Sequence, residues 1–188
     1  MKKNIILSVI VLLVLITITG CTTKKENTSK TEENTNSVVL YFSATGNTKS
    51  IAKRIAKESN SDIIEIIPKE KYKSEDLDYN SDCRANREQN NSNARPEIEN
   101  TIDITNYDTI YLGYPIWWGT NPKIILTLLD TYDLTGKTII PFCTSGSSDI
   151  SKSVSDLRDY KSNLKIKDGK RFSSTDSDKI IKDFINNN

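Results

Sequence analysis

The sequence predicts an α/β fold in which a parallel sheet carries helices on both faces. From Val38 onward, short β-branched apolar runs alternate with amphipathic helical patterns, and most of the connections between them are short. Parallel strands that are buried on both faces read as nearly continuous apolar runs, as these do. The folded domain is therefore expected over residues 38–188, a common size for a single domain.

Five strands are predicted from runs of β-branched and aromatic residues that end at turn-forming residues. The second run stops at Pro68, and Gly136 precedes the fourth. The fifth run is short and weaker than the others. In chain order, the predicted strands are Val38–Phe42, Ile63–Ile67, Thr109–Tyr114, Thr138–Cys143 and Leu164–Ile166 with Lys167.

Helices are predicted where apolar residues recur three and four positions apart. Asn121 and Pro122 form a typical N-cap and first-turn pair, and the stretch from Thr175 to Asp178 resembles a capping box. The predicted helices span Thr48–Ser59, Ile124 to Leu129, Ile150 to Leu157 and Ile180 to Ile185.

One long polar segment, Pro68–Asp108, breaks the alternation. A structureless loop of that length would be unusual in a compact domain. We expect a short helix over Cys83–Asn90 and extended chain packed by a few apolar anchors, which are Tyr72, Leu77, Tyr79 and Ile98. The segment contains three arginines, Arg84, Arg87 and Arg95. They are compatible with a binding surface or with a solvated crossover, and we favour the crossover.

The first 37 residues carry a targeting pattern. Lys2 and Lys3 precede the apolar run Ile5–Ile18, which is shorter than the roughly 20 residues of a membrane span and predicts a signal peptide over 1–20. The ending Ile18-Thr19-Gly20-Cys21 resembles the lipobox of bacterial lipoproteins. It implies lipidation of Cys21, a flexible tether over 21–37 and a location at the extracytoplasmic face of the cell membrane. An uncleaved signal anchor is the alternative.

Composition excludes several classes of chemistry. The chain has no histidine, which excludes histidine-dependent triads and the common zinc sites. Besides Cys21, only Cys83 and Cys143 remain, too few for a four-cysteine iron–sulfur cluster. Without Lys2 and Lys3, 24 basic residues face 25 acidic ones, a net charge of −1, so nucleic acid is not an expected partner. Redox or acid–base chemistry would require a borrowed cofactor, and no metal site is predicted.

Three predicted strands end in loops with ligand-binding chemistry, and such ends meet at one edge of a parallel sheet. The first loop, Ser43-Ala44-Thr45-Gly46-Asn47-Thr48, offers hydroxyl and amide donors at a helix start and suits a single phosphate ester. Helix capping by Asn47 or Thr48 is the alternative. The second loop, Pro115-Ile116-Trp117-Trp118-Gly119-Thr120, holds both tryptophans; we expect one to pack and the other to lie against a flat ligand. The third is Thr144-Ser145-Gly146.

Together these loops resemble the flavodoxin pattern. The motif Ser-x-Thr-Gly-Asn-Thr after the first strand matches the loop that holds the phosphate of FMN, and the resemblance covers nearly all of Val38–Phe184, including Ala85-Asn86. It is greatest to flavodoxin-like domains of exported or membrane-tethered bacterial proteins. It implies a flavodoxin-like three-layer sandwich with a five-stranded parallel sheet of order 2-1-3-4-5, FMN as the cofactor and a monomeric protein.

The resemblance also implies a role for each loop. Residues Ser43, Ala44, Thr45, Gly46, Asn47 and Thr48 would surround the phosphate. The loop from Pro115 to Thr120 would cover the isoalloxazine ring, with Trp117 or Trp118 against one face and Gly119 as a hinge beside N5. Thr144, Ser145 and Gly146 would cover the pyrimidine edge. Tyr79 is a candidate second aromatic cover, and no residue is expected to be catalytic.

The function that the resemblance implies is electron transfer, with FMN cycling between quinone, blue semiquinone and hydroquinone and with redox proteins as partners. An FMN-dependent NAD(P)H or quinone oxidoreductase is the alternative, and a binding lipoprotein without redox activity is a third interpretation. The near-neutral charge departs from the acidic character of soluble flavodoxins, and the long Pro68–Asp108 segment departs from the shortest ones. Electrostatic steering and access to the ring are expected to differ accordingly.

Overall fold

The structure is a computed structural model that describes residues 36–188. The predicted signal peptide over 1–20, the lipidation of Cys21 and nearly all of the predicted tether over 21–37 lie outside the described residues. Ser37, the last residue of that tether, is buried and begins the first strand. The domain therefore starts slightly before the predicted boundary.

The described chain alternates strands and helices as predicted, with small shifts at their ends. The strands are β1 (Ser37–Tyr41), β2 (Asp62–Glu65), β3 (Thr109–Pro115), β4 (Thr138–Thr144), β5 (Lys165–Ile166) and β6 (Lys170–Phe172). The α-helices are α1 (Asn47–Ser59), α2 (Arg84–Asn90), α3 (Lys123–Thr131), α4 (Ser151–Tyr160) and α5 (Asp178–Asn186), and a 3-10 helix spans Ser74–Leu77. Helix α2 confirms the short helix predicted over Cys83–Asn90.

The strands form one parallel sheet in the order β2-β1-β3-β4-β5, with β6 also paired to β4. This confirms the predicted order 2-1-3-4-5. The chain runs outward from β1 to β2 and then returns to place β3 on the other side of β1. The direction of winding therefore reverses between β1 and β3, the position at which ligands bind in open α/β sheets.

Alternate side chains of the central strands enter two separate cores. Val39 and Tyr41 pack with α1 and α5 on one face, whereas Val38 and Leu40 pack with α3 and α4 on the other. Each strand residue is buried against one helical layer, which accounts for the nearly unbroken apolar character of β1, β3 and β4.

The predicted fifth strand forms as β5, but the edge of the sheet differs from the prediction because an additional strand, β6, makes the sheet six-stranded. The N–H of Lys167 donates to the Ile139 carbonyl (2.8 Å), so residue 139 faces the edge strand, and Pro141, two residues on, faces it as well. Proline has no N–H to donate. The ladder is interrupted at Pro141, and pairing resumes only from Phe142 to Thr144, opposite β6.

The predicted cap of α3 is wrong. Pro122, not Asn121, occupies the N-cap position and makes no side-chain cap. The Asn121 side chain is buried, and its Oδ1 accepts from Ser153 Oγ at 3.5 Å and from Thr120 Oγ1 at 3.3 Å. Tertiary hydrogen bonds have replaced the local cap.

The capping box predicted from Thr175 to Asp178 does not form either. Helix α5 begins at Asp178, after Ser177, without a side-chain cap. The Asp178 carboxylate pairs instead with Arg54 of α1 at 2.8 Å. An ion pair between helices has therefore taken the carboxylate that the local motif would use.

The long segment Pro68–Asp108 is ordered by its two ends and by apolar anchors. An antiparallel bridge joins Pro68 to Ile98. Three predicted anchors pack against the core on the α3 and α4 face, and these are Tyr72, Leu77 and Ile98. Tyr79 does not anchor the segment, because 57% of it is exposed; its ring contacts another aromatic residue, described below.

The arginines of this segment pair with the protein itself. Arg84 Nε bonds Glu88 at 2.6 Å and Arg95 Nε bonds Asp130 at 2.8 Å, whereas Arg87 lies 3.5 Å from Asp82. These pairs support the interpretation of the segment as a crossover rather than a charged binding surface.

Both cysteines of the domain are buried and free. Burial raises the pKa of the Cys143 thiol to about 12, so it stays protonated at neutral pH, as expected for a packing residue. Among residues 36–188, no helix is long and apolar enough to cross a membrane. The same residues contain no cluster of three or more potential metal ligands among His, Cys, Asp and Glu.

Replacing Gly113 tests the closest approach inside the sheet. A Cβ at this position would lie 2.2 Å from Cζ of Phe142, so Gly113→Ala is expected to lower the free energy of unfolding by about 2 kcal/mol, within the roughly 1–3 kcal/mol of overpacked cores. Urea denaturation measures the change. In a Phe142→Leu background the same substitution should cost less. An equal cost in both backgrounds would show that the clash is not the cause.

Asp130 should make stability depend on pH. Its burial raises the pKa, but hydrogen bonds from Arg95, Tyr160 and Lys161 outweigh burial and lower the pKa to about 2. The ionised Asp130 carboxylate therefore stabilises the folded state above about pH 4, the pKa of an unperturbed Asp. This contribution is lost as the pH falls through about 2.

Asp130→Asn should accordingly unfold at lower urea than the native protein at pH 7, with the gap narrowing as the pH falls below about 4. Asp159→Asn, which also removes one negative charge, but from an exposed position on α4, is the control. A gap that stays constant with pH would contradict the assignment.

Candidate functional site at the carboxyl edge of the sheet

A cleft of about 530 Å³ opens at the carboxyl ends of β1, β3, β4 and β6. Of the predicted site residues, those that line it are Thr45, Asn47, Pro115, Ile116, Trp117, Thr144, Ser145 and Gly146. The lining residues outside the three predicted loops are Leu77, Tyr79, Arg171, Phe172, Ser173 and Ser174. Of these, Tyr79 was predicted as a candidate aromatic cover. The three predicted loops thus meet at one cleft, and the long segment and β6 add further walls.

The first loop turns sharply into α1 and leaves the helix start open. Gly46 adopts φ +89° at the N-cap, a conformation that favours glycine, and no side chain caps the helix. The Gly46 N–H donates to Ser43 Oγ at 3.1 Å, and Asn47 Nδ2 donates to Thr45 Oγ1 at 3.2 Å. The alternative of capping by Asn47 or Thr48 is therefore wrong. Uncapped amides and the positive end of the dipole give this helix start the chemistry of a candidate anion site.

Thr48 connects this loop to the third one. It is buried, and its hydroxyl lies 2.8 Å from that of Thr144 at the end of β4. The hydrogen bond spans 96 residues of sequence and fixes the start of α1 over β4. Thr48 thus braces the anion site and leaves the cleft wall to Thr45 and Asn47.

The tryptophan loop is a tight two-residue turn. Trp117 N–H donates to the Thr120 carbonyl (2.9 Å) and Thr120 N–H donates to the Trp117 carbonyl (3.1 Å). The residues between them, Trp118 and Gly119, have φ +50° and +80°. Positive φ at both central positions is the pattern of a type I′ turn. It is unusual for a residue as large as tryptophan to occupy the first of them.

Neighbouring helices hold this turn in place. From α2, Gln89 Nε2 donates to the carbonyls of Trp117 (3.1 Å) and Asn121 (3.3 Å). From α4, Asp156 Oδ2 accepts from Thr120 Oγ1 at 2.5 Å. The turn is therefore fixed to both its flanking helices.

The two tryptophans have different environments. Trp117 is 6% exposed, and its ring makes edge contacts with Phe42 (5.5 Å) and Tyr72 (5.0 Å between centroids). Trp118 is half-buried, and its ring lies 4.4 Å from that of Tyr79 at an angle of 35°. Trp117 therefore belongs chiefly to the core although part of it lines the cleft. Tyr79 supplies the exposed aromatic surface of the cleft, and Trp118, which does not line it, packs against Tyr79.

A side chain of β6 contacts the backbone of the third loop. Arg171 Nη1 donates to the Ser145 carbonyl at 3.3 Å. The prediction missed Arg171 because the strand Lys170–Phe172 is only three residues long and two of them are charged. The one sequence signal was Gly169, followed by a single apolar residue, Phe172, and two serines.

Comparison with known proteins agrees with this architecture. The flavodoxin family model matches residues 36–188. The chain belongs to the flavodoxin family. No protein with a curated functional description matches this flavodoxin-family chain.

Solved structures of the same fold include candidate flavoproteins of two Bacteroides species. That from Bacteroides eggerthii DSM 20697 is 38% identical, with a TM-score of 0.77, over 80% of this chain and 95% of its own. That from Bacteroides uniformis ATCC 8492 is also 38% identical, with a TM-score of 0.77, over 81% and 98%. A flavoprotein from Lactobacillus acidophilus NCFM, solved in complex with FMN, is 28% identical, with a TM-score of 0.58, over 72% and 91%.

Replacement of the two tryptophans should have different effects on the free energy of unfolding of this flavodoxin-family domain. Trp117→Ala is expected to lower the free energy of unfolding by about 3 kcal/mol, the lower end for removal of a buried tryptophan. Trp118→Ala should cost less than about 1 kcal/mol, because the ring is only half-buried. Urea denaturation of the protein without ligand gives both values. Equal losses would show that Trp118 also belongs to the core.

Proposed function

We propose that this domain binds FMN in the cleft and functions as an electron-transfer flavoprotein. The observation that carries the proposal is the convergence of an open helix N-terminus, an aromatic surface and a backbone-lined loop at the reversal point of the sheet. The cleft, about 530 Å³, lies within the roughly 300–1,000 Å³ of small-molecule sites. The FMN complex of the 28% identical neighbour supports this choice of cofactor.

The first loop fits the phosphate of FMN. It offers the hydroxyl of Thr45, the amide of Asn47 and the backbone N–H groups of the first turn of α1. These donors are neutral, so the helix start supplies the electrostatic attraction. Gly46 has open space where a Cβ would lie, which lets the phosphate approach the backbone.

The flavin ring would contact the aromatic surface and the third loop. Tyr79 lines the cleft with its ring backed by Trp118, and the segment Thr144–Gly146 would present backbone groups to the polar edge of the flavin. Bound FMN supplies the electron-accepting chemistry, and the protein supplies its binding, orientation and shielding from water.

The proposal extends to the location of the protein. Lipidation of Cys21 would anchor the mature domain to the extracytoplasmic face of the cell membrane. There the protein, as a monomer, would exchange electrons with redox proteins. Nucleic acid is not among the proposed partners. Support comes from the lipobox-like ending, the polar stretch that follows it and the near-neutral charge.

A second function, an FMN-dependent NAD(P)H or quinone oxidoreductase, is favoured by the type I′ turn. Rotation of the Trp118–Gly119 peptide would convert the turn to type II′, which has glycine at its first central position. Trp118 occupies that position, so its carbonyl cannot easily turn toward a reduced ring. A fixed turn gives less support to one-electron chemistry than the hinge predicted at Gly119, and so favours transfer of electrons in pairs.

Binding of FMN tests the main proposal. Titration of purified protein should quench flavin fluorescence with a dissociation constant in the micromolar range or below. Tyr79→Ala should weaken binding by about threefold to tenfold, since an aromatic pair contributes about 0.5–1.5 kcal/mol. Tyr79→Phe, which keeps a ring, should retain most of the affinity. A colourless protein without micromolar affinity for FMN would refute the proposal.

Turnover separates the two functions. The oxidoreductase should oxidise NADH or NADPH in steady state without a partner reductase. The electron carrier should show no such turnover, yet should accept electrons from a flavoprotein reductase and pass them to a haem protein. The fraction of one-electron-reduced flavin at half-reduction, read from the absorption spectrum, should be large for the carrier and small for the oxidoreductase.

The anchor makes a separate prediction. Cys21→Ala, expressed in a bacterium that processes lipoproteins, should move the protein from the membrane fraction to a soluble or signal-bearing form and remove the acyl mass seen by mass spectrometry. Cys83→Ala is the control and should leave the lipid in place. Retention of the acyl mass in Cys21→Ala would contradict the lipobox assignment.

A further inference from the structure

We propose that Arg171 stabilises the reduced, negatively charged ring of FMN and thereby raises the potential at which the protein accepts electrons. This inference rests on the proposed binding of FMN. Among the described residues that line the cleft, Arg171 is the one with a formal charge. The other polar groups on these walls are uncharged hydroxyls, an amide, an indole N–H and backbone groups.

The direction of the Arg171 side chain follows from the register of the sheet. Arg171 pairs with Cys143, and side chains at paired positions point to the same face. Cys143 belongs to the core beneath α3 and α4, whereas Phe172 belongs to the core beneath α1 and α5. Arg171 therefore leaves the sheet on the face opposite α1.

This direction separates Arg171 from the phosphate site. The phosphate site would lie at the N-terminus of α1, and α1 packs on the face of the sheet opposite to the one from which the Arg171 side chain leaves. The guanidinium bonds the Ser145 carbonyl, in the loop that would cover the polar edge of the ring. Its charge is thus directed at the ring and not at the phosphate.

One nearby carboxylate partly offsets this charge. Hydrogen bonds from Ser151 and the charge of Arg171 lower the pKa of Asp149, so Asp149 is ionised at neutral pH. The Asp149 carboxylate already accepts from the N–H of Ser151 at 2.8 Å and from its hydroxyl. Arg171, by contrast, has only a carbonyl as its hydrogen-bond partner in the described structure, which leaves other N–H groups for a ligand.

The chemistry of the ring explains why a cation matters. The oxidised ring is neutral. Two electrons from a nicotinamide or a reduced protein, with one proton taken up at N5, give an anion whose charge lies at the N1–C2 carbonyl edge. A guanidinium beside that edge interacts more strongly with the anion than with the neutral ring. Arg171 should therefore increase the affinity for reduced FMN and raise the potential of the last electron, which narrows the range in which one-electron-reduced flavin persists.

Potentiometry of Arg171 variants tests this role. Arg171→Gln should weaken the binding of reduced FMN relative to oxidised FMN by about tenfold, which corresponds to a fall of about 59 mV in the potential of the last electron. Arg171→Lys, which keeps the charge, should restore at least half of that shift. The shift should also shrink at high salt, because the site is open to solvent.

Riboflavin, which lacks the phosphate, separates the two ends of the ligand. If Arg171 acts on the ring, Arg171→Gln should change the affinities for oxidised FMN and oxidised riboflavin by similar, small factors. A loss confined to FMN would place Arg171 at the phosphate and overturn the inference. Unchanged potentials in Arg171→Gln would also overturn it.

Two controls keep the outcomes distinct. Urea denaturation should show that Arg171→Gln unfolds like the native protein, as expected for an exposed side chain. If the native protein binds no FMN, the proposed function fails. If it binds FMN and the potentials do not depend on residue 171, only the role of Arg171 fails.

Discussion

Parallel pairing of β1, β3 and β4 brings the three loops of the candidate site to one place. Tyr41, the last residue of β1, is in register with Gly113, and Gly113 with Phe142; β3 and β4 end level with each other two residues further on. The loop that follows each strand differs in residue type from the apolar strand before it. The candidate anion site, the tryptophan turn and the Ser145 loop owe their proximity to this register, since the first loop begins at residue 43, the second at 115 and the third at 144.

The central strands could be predicted because burial on both faces leaves a sequence signature. In a chain this rich in polar residues, a short and nearly unbroken apolar run such as β1 or β4 indicates a strand in the middle of a sheet. The sheet edge could not be predicted in the same way. The strand at Lys170–Phe172 exists because β4 offers it hydrogen bonds, and the direction in which Pro141 faces depends on a register that is not visible in sequence. The caps at Asn121 and Asp178 failed for a related reason, because distant partners bind both side chains.

In the candidate site, too, some features could be predicted from the sequence and others could not. Residue types in the three loops were sufficient to predict a phosphate and a flat ligand, because hydroxyls at a helix start and paired tryptophans have few roles. The choice between the tryptophans required the contacts of Trp117 with Phe42 and Tyr72. Arg171 reaches the cleft through a strand that was not expected, so sequence reasoning had no means of placing a charge there.

The interruption at Pro141 also bears on how this fold can change in length. Between β5 and β6, Lys167 makes the last ladder bond and pairing resumes at Lys170. Gly169 is fixed, since a Cβ there would lie 2.6 Å from Cδ1 of Ile150 and 2.8 Å from the Pro141 carbonyl oxygen. Asp168, in contrast, is exposed. Extra residues inserted beside it would break no backbone bond of the sheet. A missing N–H in one strand thus creates a place in its neighbour where a relative of this protein can gain a new loop without weakening the cleft.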